Sequence, residues 1–190
     1  MEQKILNFFF ELRQLREQPR SGWQILGIPN AESVAEHSAR TAQIAYVLAL
    51  LESHSNPEHV ATMALFHDIA ECRVGDLHKI AQRYVNADEH AAVVGMTENL
   101  GKPGERVRTL WEEMEARASD AAKIAKDADC LEVALAGREY HEQGFGAALD
   151  WYENAGRILT TGSAKRLWEE LRDADPNDWW KGLKVSHKIM

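Results

Sequence analysis

Cysteine is scarce in this chain: Cys72 and Cys130 are the only two in 190 residues. They supply neither a disulfide framework nor a paired CxxC metal site, and a reducing, cytoplasmic compartment is the expectation. No stretch approaches the ~18 consecutive apolar residues of a membrane span. The start, MEQKILNFFFELRQLREQPR, lacks the layout of a secretory signal. Basic residues are in deficit, 22 Lys plus Arg against 30 Asp plus Glu, for a formal net charge of −8. A protein that tracks along nucleic acid needs a basic face to displace counterions, so a long nucleic acid is excluded as a partner. A small anionic substrate is not excluded, because a metal ion with one or two local cations can hold a phosphate. Nothing resembles GxxxxGK[ST], which argues against triphosphate binding of the P-loop kind. Runs of β-branched residues flanked by turn signals are also missing, and with them any indication of a sheet.

What is present is apolar spacing of the helical kind almost throughout. Ile5, Phe8, Phe9, Leu12 and Leu15 trace a first helix that stops before Pro19, and Arg20 to Ala31 reads as an ordered loop. Ser33-Val34-Ala35-Glu36 has the form of a capping box and predicts a helix to about Leu51. Asn56-Pro57 starts another. Its apolar pattern runs through PEHVATMALFHDIAEC until Gly75-Asp76 breaks it. Further helices are predicted over Leu77–Val85, Glu89–Leu100, Gly104–Ala118, Asp120–Glu142, Ala147–Ile158 and Ser163–Arg172. The tail PNDWWKGLKVSHKIM is mixed, with Trp179-Trp180 expected to pack against the rest. With no repeat or linker, the expectation is one all-α domain over 1–190, its metal-site core at about 20–142 and C-terminal helices at about 147–190.

Three features carry chemistry: His37 in SVAEHS, the pair His67-Asp68 in LFHDIAE, and Asp127 and Asp129 in KDAD. A divalent ion accepts imidazole nitrogen and carboxylate oxygen together, and two of each would leave coordination positions open in an octahedral metal. One helix can offer two adjacent ligands, since neighbours differ by only ~100° around its axis, and the partners must come from other helices. Glu71 follows His67 by four residues and falls on the same face of a continuing helix. Asp127 and Asp129 sit ~200° apart on a helix and cannot both face one point. On a wheel Asp129 lies among Ala122, Ala125, Val133 and Ala136, and it is taken as the ligand; Asp127 reads as a surface carboxylate or one behind the ligands.

The order His, then His-Asp, then Asp resembles the HD phosphohydrolase superfamily. Arg20-Ser21-Gly22-Trp23, Glu32 to Ser38, His67 to Glu71 and Gly75-Asp76 are similar to its 5′-deoxynucleotidase branch. The resemblance runs from about Arg20 to Glu142 and implies an HD-type helical bundle. It implies hydrolysis of a small phosphate ester, in first place removal of phosphate from (deoxy)nucleoside 5′-monophosphates, with one divalent ion (Co, Mn, Mg, Zn, Fe or Ni). The implied metal ligands are His37, His67, Asp68 and Asp129. Glu71 and Asp76 match the carboxylates that act on the attacking water and the leaving group, with their two roles interchangeable. Arg20 and Trp23 match a phosphate clamp and a sugar or base contact, although the best-known bacterial relatives have the two adjacent and here two residues separate them. A homodimer is within what the resemblance implies.

Two other readings stand beside this one: a dinuclear HD phosphodiesterase or oxygenase, and a catalytically silent nucleotide-binding HD module. His78 and His90 raise the dinuclear case, but their neighbours Asp76, Asp88 and Glu89 mark them as solvent-facing. The acidic run Glu112-Glu113-Met114-Glu115 reads as a solvated helix face, and both thiols as small core residues.

Overall fold

In a computed structural model that describes residues 2–181 and 183, the chain is helical, and its only extended pairing among those residues is one antiparallel bridge between Pro19 and Ser33. The helices are α1 (Glu2–Glu11), α2 (Gln14–Glu17), α3 (Ser21–Ile25), α4 (Val34–Leu51), α5 (Pro57–Leu65) and α6 (Glu71–Val74). They continue as α7 (Glu89–Thr97), α8 (Lys102–Ala116), α9 (Asp120–Glu142), α10 (Leu149–Gly156) and α11 (Gly162–Leu171), with 3₁₀ turns at Ala81–Arg83 and Gly146–Ala148.

The start signals work as expected. Ser33 and Glu36 form the reciprocal capping box of α4, and Asn56 accepts from the His59 amide ahead of Pro57. Ser119 and Thr161 cap α9 and α11. The centre of the bundle is α9, against which α4, α5, α8, α10 and α11 pack. Small side chains line these contacts: Ala45, Ala49, Ala64, Ala122, Ala125, Ala128 and Ala134 are fully buried. Short side chains let the helix axes approach closely, which brings the ends of α4 and α5 within side-chain reach of α9. Gly137 serves the same end on the other side, because a Cβ there would meet the Ala148 carbonyl at 2.9 Å.

Four expectations about elements need correction. The first helix does not run unbroken towards Pro19, because a turn at residues 12 and 13 divides it into α1 and α2. The stretch after Leu65 is not one helix to Gly75. Residues 66–70 form turns between α5 and α6, with bonds such as Ile69 N–H to Phe66 and Glu71 N–H to Asp68. A cause lies in His67 itself, whose Nδ1 lies 2.7 Å from the Ala64 carbonyl, the acceptor a continuing helix would offer to the Asp68 amide. Leu77–Val85 forms only the single 3₁₀ turn: Ile80, Tyr84 and Val85 remain exposed, and a short helix without a face to bury is marginal. Arg20 to Ala31 contains α3, and the Pro19–Ser33 bridge pins the two ends of the segment together.

The tail differs too. Trp179 is 76% and Trp180 50% exposed, so neither packs as expected. The rest of the tail, residue 182 and residues 184–190, lies outside the described residues. No helix among the described residues is long and apolar enough to cross a membrane.

Candidate metal centre

Four side chains from three places in the chain meet at one point. His37 lies in the first turn of α4, His67 and Asp68 lie in the turns after α5, and Asp129 lies midway along α9. The His37 and His67 Nε2 atoms are 3.3 Å apart. Asp129 Oδ1 is 3.1 Å from the first and 3.7 Å from the second. Asp68 Oδ2 is 3.6 Å from His37 and 3.1 Å from His67. The compact trio His37, His67 and Asp129 is wholly buried, with donor atoms within 4.8 Å of one another.

These spacings suit a cation. Bonds of about 2.1 Å at 90–109° put neighbouring donors about 3.0–3.4 Å apart. Hydrogen-bond chemistry gives the same answer. His67 Nδ1 is held by the Ala64 carbonyl and His37 Nδ1 by Glu132 at 2.5 Å. With both Nδ1 atoms donating, each neutral ring turns an Nε2 lone pair towards the other, and two lone pairs at 3.3 Å need a positive charge between them.

The titration behaviour of the cluster expresses the same need. Burial works to lower His67, but Asp68 and Asp129 outweigh it and push the imidazole up to about 10. Burial and Arg20 work to lower His37, yet its bonds to Asp129 and Glu132 leave it raised. Burial works to raise Asp68 and Asp129 but loses. His67, then Arg20 and His37, hold Asp68 far below the carboxylate range, and Lys126 with both histidines does so for Asp129. Two buried carboxylates thus draw positive charge onto the imidazoles, a role a divalent ion fills without protons.

On the side that keeps some exposure stand Arg20, Glu71 and Asp76. Arg20 Nη1 lies 3.2 Å from Asp68, 3.4 Å from Asp76 and 3.9 Å from Glu71. Gly75, at φ 79°, ends α6 in a conformation glycine adopts freely and delivers Asp76 to this cluster. The Ser21 amide donates to Asp76 at 2.8 Å. Burial, reinforced by Asp68 and Asp76, pushes Glu71 up to about 9, and its Oε2 is buried without a protein partner. Glu71 reaches the site through the turn at 66–70, not as the same helical face as His67.

The structure places Trp23 elsewhere. It is 2% exposed, with ring centroids 5.0 Å from Tyr140 and 5.5 Å from Trp151, and its indole N–H donates to Glu32 at 2.9 Å. Asp127 also departs from expectation. It is buried, and its oxygens accept from the Thr160 and Thr161 amides at 2.6–3.1 Å. It therefore holds the start of α11 and is neither a surface group nor a group behind the ligands. His90 is exposed and His78 half-buried, and neither joins a ligand group among the described residues.

Three residues of the centre escaped the sequence reading. Glu132 is fully buried between His37 and Arg40, Arg40 lies one turn beyond His37, and Lys126 bonds the outer oxygen of Asp129. Their signal was spacing: His37 with Arg40, Lys126 with Asp129 and Asp129 with Glu132 are all three apart, neighbours on a helix.

Comparison with known proteins agrees with this geometry. The HD domain profile matches residues 12–168. The chain is 36% identical to 5′-deoxynucleotidase HDDC2 of Danio rerio over 144 residues, 73% of this chain and 70% of that one. It is 32% identical to the Bos taurus HDDC2 protein over 173 residues, 88% and 83% of the two chains. A crystal structure from a genomics programme superposes with a TM-score of 0.78 at 39% identity, covering 94% of this chain and 99% of that one.

Proposed function

The chain belongs to the HD-domain family, and from that premise we propose that it is a metal-dependent phosphomonoester hydrolase acting on (deoxy)nucleoside 5′-monophosphates. The observation that carries this reading is the meeting of His37, His67, Asp68 and Asp129 at one point, with Arg20, Glu71 and Asp76 beside it. The relatives named above are called 5′-deoxynucleotidases, and a net charge of −8 suits a small substrate better than a polyanion.

The four ligands would hold one divalent ion, which supplies Lewis acidity and a water of lowered pKa at neutral pH. The chain's own groups do the rest. Arg20, a cation held on three carboxylates, offers its remaining N–H donors to the phosphate oxygens. Asp76, fixed by the Ser21 amide, orients the water for in-line attack on phosphorus. Glu71, kept protonated by burial and by its carboxylate neighbours, is placed to give its proton to the leaving alkoxide. Trp23 serves the substrate side indirectly, by anchoring the 20–33 segment from which Arg20 projects.

We read the chain as one working unit, the ligand-bearing core at about 20–142 with α10 and α11 packed on α9 as its C-terminal part. The buried free thiols Cys72 and Cys130 suit a reducing, cytoplasmic setting. The test is phosphate release from a panel of deoxy- and ribonucleoside monophosphates with Co²⁺, Mn²⁺, Mg²⁺ and Zn²⁺, run alongside Glu71→Gln. Release that depends on metal and falls about 10²–10⁴-fold in the variant is expected. No release from any monophosphate with any of these ions would sink the reading.

A further inference from the structure

The two histidines of the centre are oriented by different means. The His67 ring is held by a backbone carbonyl three residues away, a local contact that any sequence with this turn provides. The His37 ring is held by a side chain from another helix. Glu132 of α9 puts Oε2 2.5 Å from His37 Nδ1, and both residues are fully buried. A buried carboxylate is costly unless charge and hydrogen bonds compensate it. Here Arg40 supplies both: its Nε lies 2.8 Å and its Nη2 2.6 Å from Glu132 Oε1, and its Nη1 is 2.9 Å from each oxygen of Glu139.

We infer that Glu132 is the positioning residue for His37 as a metal ligand, and that the Arg40 fork holds Glu132 in that role. The reasoning rests on the metal-centre reading given above. An imidazole whose Nδ1–H is committed to a carboxylate keeps its Nε2 lone pair facing the ion and becomes a stronger donor. Helix geometry makes the pairing rigid. Asp129 and Glu132 lie three apart on α9 and flank the two nitrogens of the same ring, while His37 and Arg40 lie three apart on α4 and reach the same carboxylate. Two helices are thus latched at the point where each delivers a ligand. The fork also faces Glu32, 3.9 Å from Arg40 Nη2, whose other oxygen takes the Trp23 indole N–H.

The experiment measures metal binding, not turnover. Metal-stripped full chain is titrated with Zn²⁺ against a chromogenic chelator, and the visible bands of bound Co²⁺ are recorded, for wild type, Glu132→Gln, Arg40→Lys and Asp127→Asn. Glu132→Gln keeps the volume and one acceptor but removes the charge. It is expected to weaken Zn²⁺ binding by about 10–100-fold and to shift the Co²⁺ bands. Arg40→Lys keeps the charge without the fork, and a smaller loss in the same direction is expected. Asp127→Asn, in the same helix but on the structural carboxylate, should lower Tm and leave affinity and bands unchanged. Unaltered affinity and bands in Glu132→Gln, with or without a lower Tm, overturn the proposal. If circular dichroism shows that variant unfolded, Arg40→Lys decides, and unchanged affinity there overturns it. A wild type that takes up none of the ions overturns the metal-centre reading itself, and the inference with it.

Discussion

Asp127 and Asp129 stand two residues apart on α9, both carboxylates and both buried, yet they serve opposite ends. Asp127 meets only saturated donors: the amides of Thr160 and Thr161 and the Thr160 hydroxyl, which together hold down the start of α11. Asp129 meets the Nε2 atoms of two imidazoles whose Nδ1 atoms are committed to Glu132 and the Ala64 carbonyl, and the Lys126 ammonium on its outer oxygen. Burial and charge are therefore poor guides to function. What separates a structural carboxylate from a ligand is whether its neighbours can satisfy it by themselves. Around Asp127 they do, whereas around Asp129 two imidazole Nε2 atoms stand 3.3 Å apart, the place where the proposed cation would sit.

The comparison can be broken most directly at Asp129. Asp129→Asn should lower metal-dependent phosphate release by on the order of 10³-fold or more, because a neutral amide is a weak ligand and no longer offsets the ion's charge. Circular dichroism should still report a helical protein. Substantial activity in this variant would mean that Asp129 is not a ligand. Asp127→Asn should do the reverse. Its NH₂ group faces backbone donors, so unfolding in urea should show a loss of about 1–3 kcal/mol while kcat stays unchanged. A drop in kcat with unchanged stability would erase the distinction drawn here.

The smallest effect concerns the thiol of Cys130, next to Asp129 in the chain. Burial pushes Cys130 up to about 12, with Asp129 adding to it, and burial does the same to Cys72. Because the thiolate is the nucleophile, iodoacetamide at neutral pH should label neither residue in the folded protein and both in urea, as read by mass spectrometry. Rapid labelling of Cys130 in the native state would place it in a more open, charged setting than the structure shows.

Much of the scaffold was legible in advance because its signals are local. The capping box at Ser33–Glu36, the Asn56-Pro57 start and the span of α9 depend on residues within a turn or two of each other, and the structure reproduces them. Helix content failed where local pattern needed a distant partner. Leu77–Val85 has helical spacing but no surface to bury it, and the 66–70 turns follow from a side chain taking a backbone acceptor. At the centre, His37, His67, Asp68 and Asp129 were named from their spacing and from the family they resemble, and the fold brings them together. Arg20 stands beside them as well, whereas the Trp23 ring is packed inside, a difference that the short stretch Arg20-Ser21-Gly22-Trp23 does not encode.

By itself the sequence determined where most of the longer helices lie and which side chains have the chemistry to bind a cation, since both follow from periodicity, capping and the donor atoms each residue carries. The tertiary structure alone decided that Asp127 ties down the start of a neighbouring helix and that Glu132 and Arg40 stand behind His37. The physical reason is that hydrogen-bond satisfaction of a buried charge is a property of its neighbours in space, and along this chain those neighbours lie as far apart as residues 37 and 132.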